Sequence, residues 1–219
     1  MRNPTGFLGF HTVWVESGSS GWRKGLEIAP LGFGGKRTSV AVSQLMFPDG
    51  FQTGRLTLRP ITAGDAEPIF DGYAQNSEVT RFLTWRPHRG LDDAVAYVQR
   101  CMGAVSSRTY VLIGRHNKKL IGAFDLRQDR PHGLGYGYVL ARSVWGQGLM
   151  TEALLEVSRW ALLQPVVWRI EDCCDVENRA SARVMEKAGM TFEGIARRWT
   201  MHPNVSAEPR DCFIYAKVK

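Results

Sequence analysis

Residues Gly133 to Leu163 read GLGYGYVLARSVWGQGLMTEALLEVSRWALL, and this stretch decides the fold. It begins as a strand and ends as an amphipathic helix, because apolar residues recur at helical spacing after residue 148. The joint between strand and helix, residues 145–148, contains two glycines. Glycines allow a sharp backbone turn and leave the first amides of the helix uncovered, at the positive end of its dipole. The joint is therefore typical of a site for a phosphate or pyrophosphate.

The strand before the joint alternates glycine with larger residues, at Gly133, Gly135 and Gly137. A two-residue period places all three glycines on one face of the strand. Because glycine weakens a strand, such a face indicates either that something approaches the backbone closely or that the strand packs tightly under a helix. The sequence leaves both interpretations open.

Three motifs follow one another in the second half of the chain. V-W-G-Q-G-x-x-T-E-A opens the helix, R-I-E follows at residues 169–171, and E-N-R-A-S-A-R-V-M-E-K-A-G-M spans Glu177 to Met190. In this order they closely resemble the GNAT N-acetyltransferases, and within them the branch of the ribosomal-protein N-terminal acetyltransferases RimJ and RimL. The resemblance covers Gly54 to Lys219 and implies the GNAT acyl-CoA N-acyltransferase fold.

The order of the predicted elements agrees with an α/β (α+β) domain whose mixed central sheet is flanked by helices. Helical periodicity predicts helices over 65–73, 77–82, 91–105, 149–164 and 177–187. Apolar alternation predicts a sheet of six to seven strands, over 55–61, 109–115, 120–126, the glycine-rich strand, 166–173, 190–197 and 211–218.

The chain divides into two parts by composition. Its 219 residues are 44% hydrophobic, which suffices for one globular core. Residues 1–50 are rich in Gly and Ser without a sustained apolar period, so we predict a loosely structured extension there and the acetyltransferase domain over 51–219. Met46 would suit the start of such a domain, so the extension is either an artefact of start-codon choice or an arm that covers the domain or a partner subunit.

Charge and cysteine content narrow the class of protein. The formal net charge of +7 and the pI near 9.5 favour acidic partners such as nucleotide phosphates, ribosomal RNA or a membrane surface, although such a charge also serves solubility alone. No apolar run approaches the ~20 residues that span a bilayer, and the first residues lack a signal-peptide pattern. We therefore expect no membrane partner and a cytoplasmic protein. The cysteines lack metal-site spacing, so we expect reduced thiols and no metal; they are Cys101, Cys173, Cys174 and Cys212.

The resemblance implies acetyl-coenzyme A as co-substrate. Its pantetheine arm would pair with the backbone of Val139 and Leu140, and Asn178 and Ser181 would contact that arm. Asn178 is also a typical helix cap, and the two roles are compatible. The pyrophosphate would lie in a cradle formed by Gln147, Gly148, Leu149, Met150 and Thr151. The family usually has Gly or Ala where this chain has Met150, so we expect the loop to be less open than in relatives.

Catalysis needs a polarised thioester carbonyl and a deprotonated amine. By resemblance, the backbone N–H of Leu140 would act as a single oxyanion donor. Many relatives carry a Glu at the position that reads Gly135 here, so that carboxylate is absent. The remaining candidates for the base are side chains near the glycine-rich strand or an ordered water relay. Those side chains are Asp125, Glu171, His132, Tyr136 and Tyr138.

The resemblance also places the acceptor pocket beside residues 82–86. Phe82, Trp85 and Arg86 are candidates for acceptor contact, together with Tyr136, although buried aromatics and a solvated arginine explain them equally well.

We conclude that the sequence predicts transfer of acetyl to a primary amine of a protein N-terminus or a small molecule, by direct attack in a ternary complex. The alternatives are a non-catalytic coenzyme-A-binding sensor or interaction module and a ribosome- or RNA-associated protein. A ribosomal protein as substrate and a homodimer are also considered.

Overall fold

A computed structural model describes residues 47–219, except for the side chain of Asp129. The predicted extension over residues 1–50 thus lies almost entirely outside the described residues. The described range contains eight strands: β1 Phe51–Gln52, β2 Leu56–Pro60, β3 Ser107–Gly114, β4 Leu120–Arg130, β5 Gly133–Leu140, β6 Arg169–Asp175, β7 Thr191–Thr200 and β8 Arg210–Val218. They form one sheet in the order β1-β2-β3-β4-β5-β6-β8-β7.

Five α-helices cover this sheet. They are α1 Ala66–Ile69, α2 Ser77–Thr80, α3 Leu91–Met102, α4 Leu149–Leu163 and α5 Arg179–Lys187. A 3-10 turn precedes α1 and a π turn follows it, so residues 63–74 form one continuous helical stretch. The helix predicted over 91–105 ends instead at Met102, because Gly103 closes it and Val105 is exposed.

The sheet is mixed and has a core on each face. All neighbouring strands are antiparallel except β5 and β6, which are parallel. Alternation along the strands sends Tyr110 and Phe124 into the larger core with α4 and α5, and Val111 into the smaller core with α1 and α3. The predicted mixed sheet flanked by helices is confirmed.

Several strands differ from the sequence prediction, and one of them, β4, runs to Arg130 where an end at residue 126 was predicted. The two-residue strand β1 was not predicted, because so short a strand carries no readable alternation. The strand predicted over 166–173 begins three residues later, since the amide of Val167 bonds the carbonyl of Gln164 (3.1 Å) in a turn after α4. Pro165, in the same turn, supplies no amide to a ladder.

The parallel strands β5 and β6 separate after three residue pairs. Their pairing ends at Gly135 opposite Glu171, although β5 continues to Leu140 and β6 to Asp175. We call the space between residues 136–140 and residues 172–175 the β5–β6 gap. The amide of Ala141 donates to β4, at the carbonyl of Ile121 (2.8 Å), so backbone alternation turns the amide of Leu140 toward the gap.

Candidate active site

The loop between β5 and α4 has the geometry of an anion site. Gly146 and Gly148 adopt left-handed conformations with φ of 75° and 73°, which glycine alone adopts without strain. Gly148 is the N-cap of α4, and no side chain caps the helix. The amides of its first turn therefore face outward at the positive end of the helix dipole, as the sequence predicted for this joint.

Arg55 is a cation beside this loop that sequence reasoning missed. Its Nη1 donates to the carbonyl of Gln147 (2.9 Å), and its Nε donates to the carboxylate of Glu152 in the first turn of α4 (2.6 Å). The hydroxyl of Thr53 also donates to Glu152. Burial alone would raise the pKa of Glu152, but these bonds outweigh it and hold the pKa below its usual value. Arg55 lies 97 residues from Glu152 in the chain, so no local pattern could have revealed the pair.

The expectation that Met150 narrows the loop is wrong. The Met150 side chain is only 3% exposed and packs in the core between α4 and the sheet. Its amide stays in the first turn of the helix, while its side chain covers none of the outward-facing amides. Gln147 is exposed, Leu149 is buried, and Thr151 is half-buried.

Asn178 and Ser181 lie together at the start of α5. The Oδ1 of Asn178 accepts from the amide of Ser181 (3.1 Å), which makes Asn178 the helix cap. The hydroxyls of Ser181 and Tyr138 are 2.7 Å apart. This bond joins α5 to β5. It engages the side chain of Ser181, which was predicted to contact the coenzyme arm, and that of Tyr138, which was a candidate for the base.

The carboxylates predicted as bases are already engaged. Asp125 accepts from the hydroxyl of Thr109 and from Arg127, both at 2.9 Å. Glu171 pairs with Arg169 (2.6 Å) and also with Arg130. Neither carboxylate therefore presents an unengaged pair of oxygens to an acceptor.

Two other predicted candidates do not reach the site. Tyr136 is 0% exposed and stacks against both Phe124 and Tyr138 in the larger core. Burial raises the pKa of its phenol well above the usual value. The prediction that its side chain contacts the acceptor is wrong, because α4 and α5 cover the face opposite the glycines. His132 lies in the turn before β5, eight residues and about 25 Å of strand from Leu140.

The predicted acceptor residues lie on the segment that follows α2. Trp85 and Phe82 are half-buried, and Arg86 is exposed. The rings of Trp85 and His88 are in contact, with centroids 4.8 Å apart. Asn204, from the loop between β7 and β8, donates to the carbonyl of Trp85 (2.8 Å). The structure thus fixes this segment against β7 and β8, at one side of the sheet.

Two ion pairs tie α2 to the ends of the diverging strands. Glu78 accepts from Arg142, just after β5, at 2.9 Å. Arg81 lies 3.5 Å from Glu177, just after β6. Because the partners follow β5 and β6 respectively, α2 spans the open end of the β5–β6 gap.

The four cysteines are free thiols. Cys173 and Cys174 are consecutive residues of β6 and project to opposite faces, with Cys174 in the larger core. Cys212 lies 3.9 Å from the Nε2 of His202 but is fully buried. The same Nε2 of His202 also lies 4.0 Å from Asp175. In a catalytic triad the two ring nitrogens contact different partners, one the nucleophile and the other the carboxylate. Cys212, His202 and Asp175 therefore do not form a catalytic triad.

Asp175 anchors the end of β6 and the cap of α5. It is 0% exposed and accepts from Arg210 Nε (2.6 Å) and from the amide of Glu177 (2.8 Å). Burial alone would raise the pKa of Asp175, but these donors hold it below its usual value. A lowered carboxyl pKa stabilises the folded state fully above the unfolded pKa of about 4, and this contribution is lost as the pH falls through the folded pKa.

We therefore expect Asp175→Asn to lower the free energy of unfolding at pH 7 by about 1.5–3 kcal/mol, the usual range for hydrogen bonds to a charged group. Denaturant unfolding of both proteins between pH 7 and pH 3 measures the difference, which should shrink below pH 4. Glu208→Gln, which removes an exposed partner of Arg198, is the control and should change little. A difference that persists unchanged at pH 3 would contradict the assignment.

Comparison with known proteins agrees with this architecture. The family model of the acetyltransferase (GNAT) domain matches residues 55–191, and the chain belongs to the GNAT acetyltransferase family. It is 30% identical over 179 residues to the uncharacterized N-acetyltransferase YoaA of Bacillus subtilis, covering 80% of this chain and 98% of YoaA.

Solved structures share the fold. A GNAT-family acetyltransferase from Bacillus anthracis superimposes with a TM-score of 0.69 at 25% identity, covering 77% of this chain and 98% of the other. RimL, the ribosomal L7/L12 alpha-N-protein acetyltransferase solved with coenzyme A, gives a TM-score of 0.66 at 20% identity and covers 76% of this chain and 95% of its own. At that identity RimL shows the fold alone.

The residues at the gap fit a coenzyme A molecule. The backbone edge of β5 beyond Gly135 is released from β6, which suits the two amides of a pantetheine arm. The uncapped start of α4 suits a pyrophosphate. None of the helices in residues 47–219 combines the length and apolar character of a bilayer span.

Proposed function

We propose that this chain transfers acetyl from acetyl-coenzyme A to a primary amine, by direct attack in a ternary complex. The observation that carries the proposal is the β5–β6 gap, which opens directly onto the uncapped N-terminus of α4. The amine nitrogen attacks the thioester carbonyl, the carbon–sulfur bond breaks, and coenzyme A leaves with its thiol. The amine is thereby converted to an amide.

Each part of the coenzyme has a place in this proposal. The outward-facing amides of Gly148, Leu149, Met150 and Thr151, with Gln147 in the same loop, hold the pyrophosphate. Arg55 lies beside them, ion-paired with Glu152. The arm pairs with the gap-facing backbone of β5 at Leu140. The same alternation turns the backbone of Val139, the other residue that the resemblance implied, toward β4. The cap of α5 occupies only the Oδ1 of Asn178, so its amide nitrogen can donate to the arm, next to Ser181.

The thioester carbonyl accepts from the amide of Leu140, which backbone alternation turns toward the gap. The ion pairs at Asp125 and Glu171 favour a water relay for the amine proton. Water carries this proton to solvent.

The water relay predicts that no single side chain is essential. Asp125→Asn, Glu171→Gln and His132→Ala should each lower kcat by less than the ~10²–10⁴-fold that a dedicated general base contributes. Measured with acetyl-coenzyme A saturating, kcat/KM for the amine should rise with pH until the amine itself is neutral. A thousandfold loss in one variant, with acetyl-coenzyme A binding intact, would identify that residue as the base and overturn the relay.

The acceptor is a protein N-terminus or a small-molecule amine, bound beside α2 and the segment that follows it, with Phe82, Trp85 and Arg86. The ion pairs from α2 to both strand ends support this placement. A ribosomal protein is one candidate substrate of a cytoplasmic enzyme of this kind. A homodimer is a further candidate, since β7 is the last strand of the sheet in the described residues and exposes Phe192 and Ile195.

Turnover decides between this proposal and its alternatives. Coenzyme A release is measured with acetyl-coenzyme A and a panel of peptides, amino acids and small amines. Release that depends on one class of amine supports the enzyme and names its acceptor. Coenzyme binding without release for any amine would favour a sensor or interaction module, for which the engaged carboxylates Asp125 and Glu171 are the supporting observation. Salt-dependent RNA binding would favour the ribosome-associated alternative.

A further inference from the structure

The glycine face of β5 is covered by arginines of the preceding strand. Arg127 of β4 lies opposite Gly135 in the antiparallel register, and its guanidinium reaches over Gly137. A Cβ built on Gly137 would lie 3.2 Å from the Arg127 Nη1. In the same way, a Cβ on Gly133 would lie 3.5 Å from the side chain of Arg130. What approaches the glycines is thus the protein's own side chains.

The guanidinium of Arg127 ends at the point where β5 and β6 separate. Its Nη2 donates to the carbonyl of Tyr136 (2.9 Å), the first residue of β5 beyond the last parallel pair. The same nitrogen is 3.8 Å from Oδ1 of Asp172, the first residue of β6 beyond that pair. Its Nη1 donates to Asp125 (2.9 Å), which fixes the direction of the side chain.

These contacts place a fixed cation between the two sides of the gap. The carbonyl of Tyr136 points into the gap by the same alternation that turns the Leu140 amide there. Without β6 beside it, this carbonyl would be open to a ligand, and Arg127 occupies it instead. The next positions of β5 that face the gap are Tyr138 and Leu140, so Arg127 marks where the free edge begins.

We propose that Arg127 is a positioning residue that closes the inner end of the β5–β6 gap and thereby sets how far the pantetheine arm enters. This inference rests on the proposed function, because it assumes that the arm lies in the gap. Gly137 is part of this arrangement, because a Cβ at that position would crowd the guanidinium of Arg127. The acyl end of the arm then lies no deeper than Tyr138 and Leu140, the gap-facing residues of β5 beyond Arg127.

A double-mutant cycle tests this pair. Arg127→Met removes the charge and the donors but keeps an unbranched chain, and Gly137→Ala places a methyl group against the guanidinium. Without this stop the arm can occupy positions from which the thioester does not react. We therefore expect about a tenfold fall in kcat for Arg127→Met, with a smaller rise in KM for acetyl-coenzyme A. Gly137→Ala should act in the same direction in the wild type and have little further effect in Arg127→Met, because the group that it displaces is gone.

Binding of the phosphoadenosine diphosphate part of the coenzyme separates positioning from general damage to the fold. This probe carries the pyrophosphate but lacks the arm, so its Kd should stay within twofold of wild type in every variant. Arg127→Lys keeps the charge and should recover part of the loss. The inference would be overturned if the effects of the two substitutions were additive. It would also be overturned if the variants lost as much affinity for the probe as for acetyl-coenzyme A. Failure of the wild type to bind acetyl-coenzyme A would instead overturn the proposed function.

Discussion

Gly148→Asp should abolish acetyl-coenzyme A binding without unfolding the protein. The substitution places a carboxylate where the outward-facing amides of α4 would hold the pyrophosphate. Two like charges about 4 Å apart repel by about 4 kcal/mol at the effective dielectric constant of a protein surface, close to a thousandfold in Kd. Thermal unfolding with and without ligand measures the effect. A hundredfold excess of acetyl-coenzyme A over its Kd should stabilise the wild type by roughly 2.7 kcal/mol, and the variant by nothing.

Gly148→Asn is the matched control for this substitution. Both side chains meet the same left-handed backbone, with φ of 73°, which Asn and Asp tolerate better than other residues. The two variants therefore share the conformational strain and differ in charge. The Asn variant should keep most of the ligand-induced stabilisation. Equal losses in both variants, or an unchanged shift in the Asp variant, would contradict a pyrophosphate site at this loop.

Leu140→Pro should lower kcat by about 10²–10³-fold, the cost of removing one oxyanion donor. Proline lacks the backbone N–H, and at this residue the N–H faces the β5–β6 gap while its neighbour Ala141 bonds β4. The substitution therefore removes the donor but no ladder bond of the sheet, as is tolerated where a strand edge is free. Single-turnover rates with saturating acetyl-coenzyme A measure the chemical step.

Leu140→Ala is the control, because it trims the side chain and keeps the N–H. Its side chain is only partly buried against the larger core, so we expect a modest loss of stability and a kcat within tenfold of wild type. Circular dichroism of both variants checks that the sheet is intact. A proline variant that folds and turns over as fast as the alanine variant would show that the donor is elsewhere.

The sequence predicted those features that depend on neighbours in the chain. In residues 133–163, the strand and the helix each follow from the spacing of apolar residues close together in the chain, and the two glycines between them predict the open turn before α4. The cap at Asn178 was predictable for the same reason, because Asn commonly begins a helix. The separation of β5 from β6 was not predicted, because it depends on how two strands distant in the chain pair.

Contacts between distant segments could not be predicted. Arg55 reaches the loop before α4 from the turn between β1 and β2, far earlier in the chain, and Arg127 reaches the inner end of the β5–β6 gap from β4. Alternation placed Tyr136 opposite the glycines, but it could not show which face of the strand the helices cover. That face is decided by the packing of α4 and α5, so the sequence could not show that the side chain of Tyr136 is buried.

The central claim is that acetyl-coenzyme A lies in the β5–β6 gap with its pyrophosphate on α4, and hydrogen–deuterium exchange of the wild type tests it most directly. Saturating acetyl-coenzyme A should slow exchange of the amides of Leu140 and of residues 148–151, which face the gap and the loop. The amides of β7, at the far edge of the sheet, should exchange as before and serve as the internal control. Protection at β7 or elsewhere, with residues 140 and 148–151 unchanged while the ligand is bound, would contradict the claim.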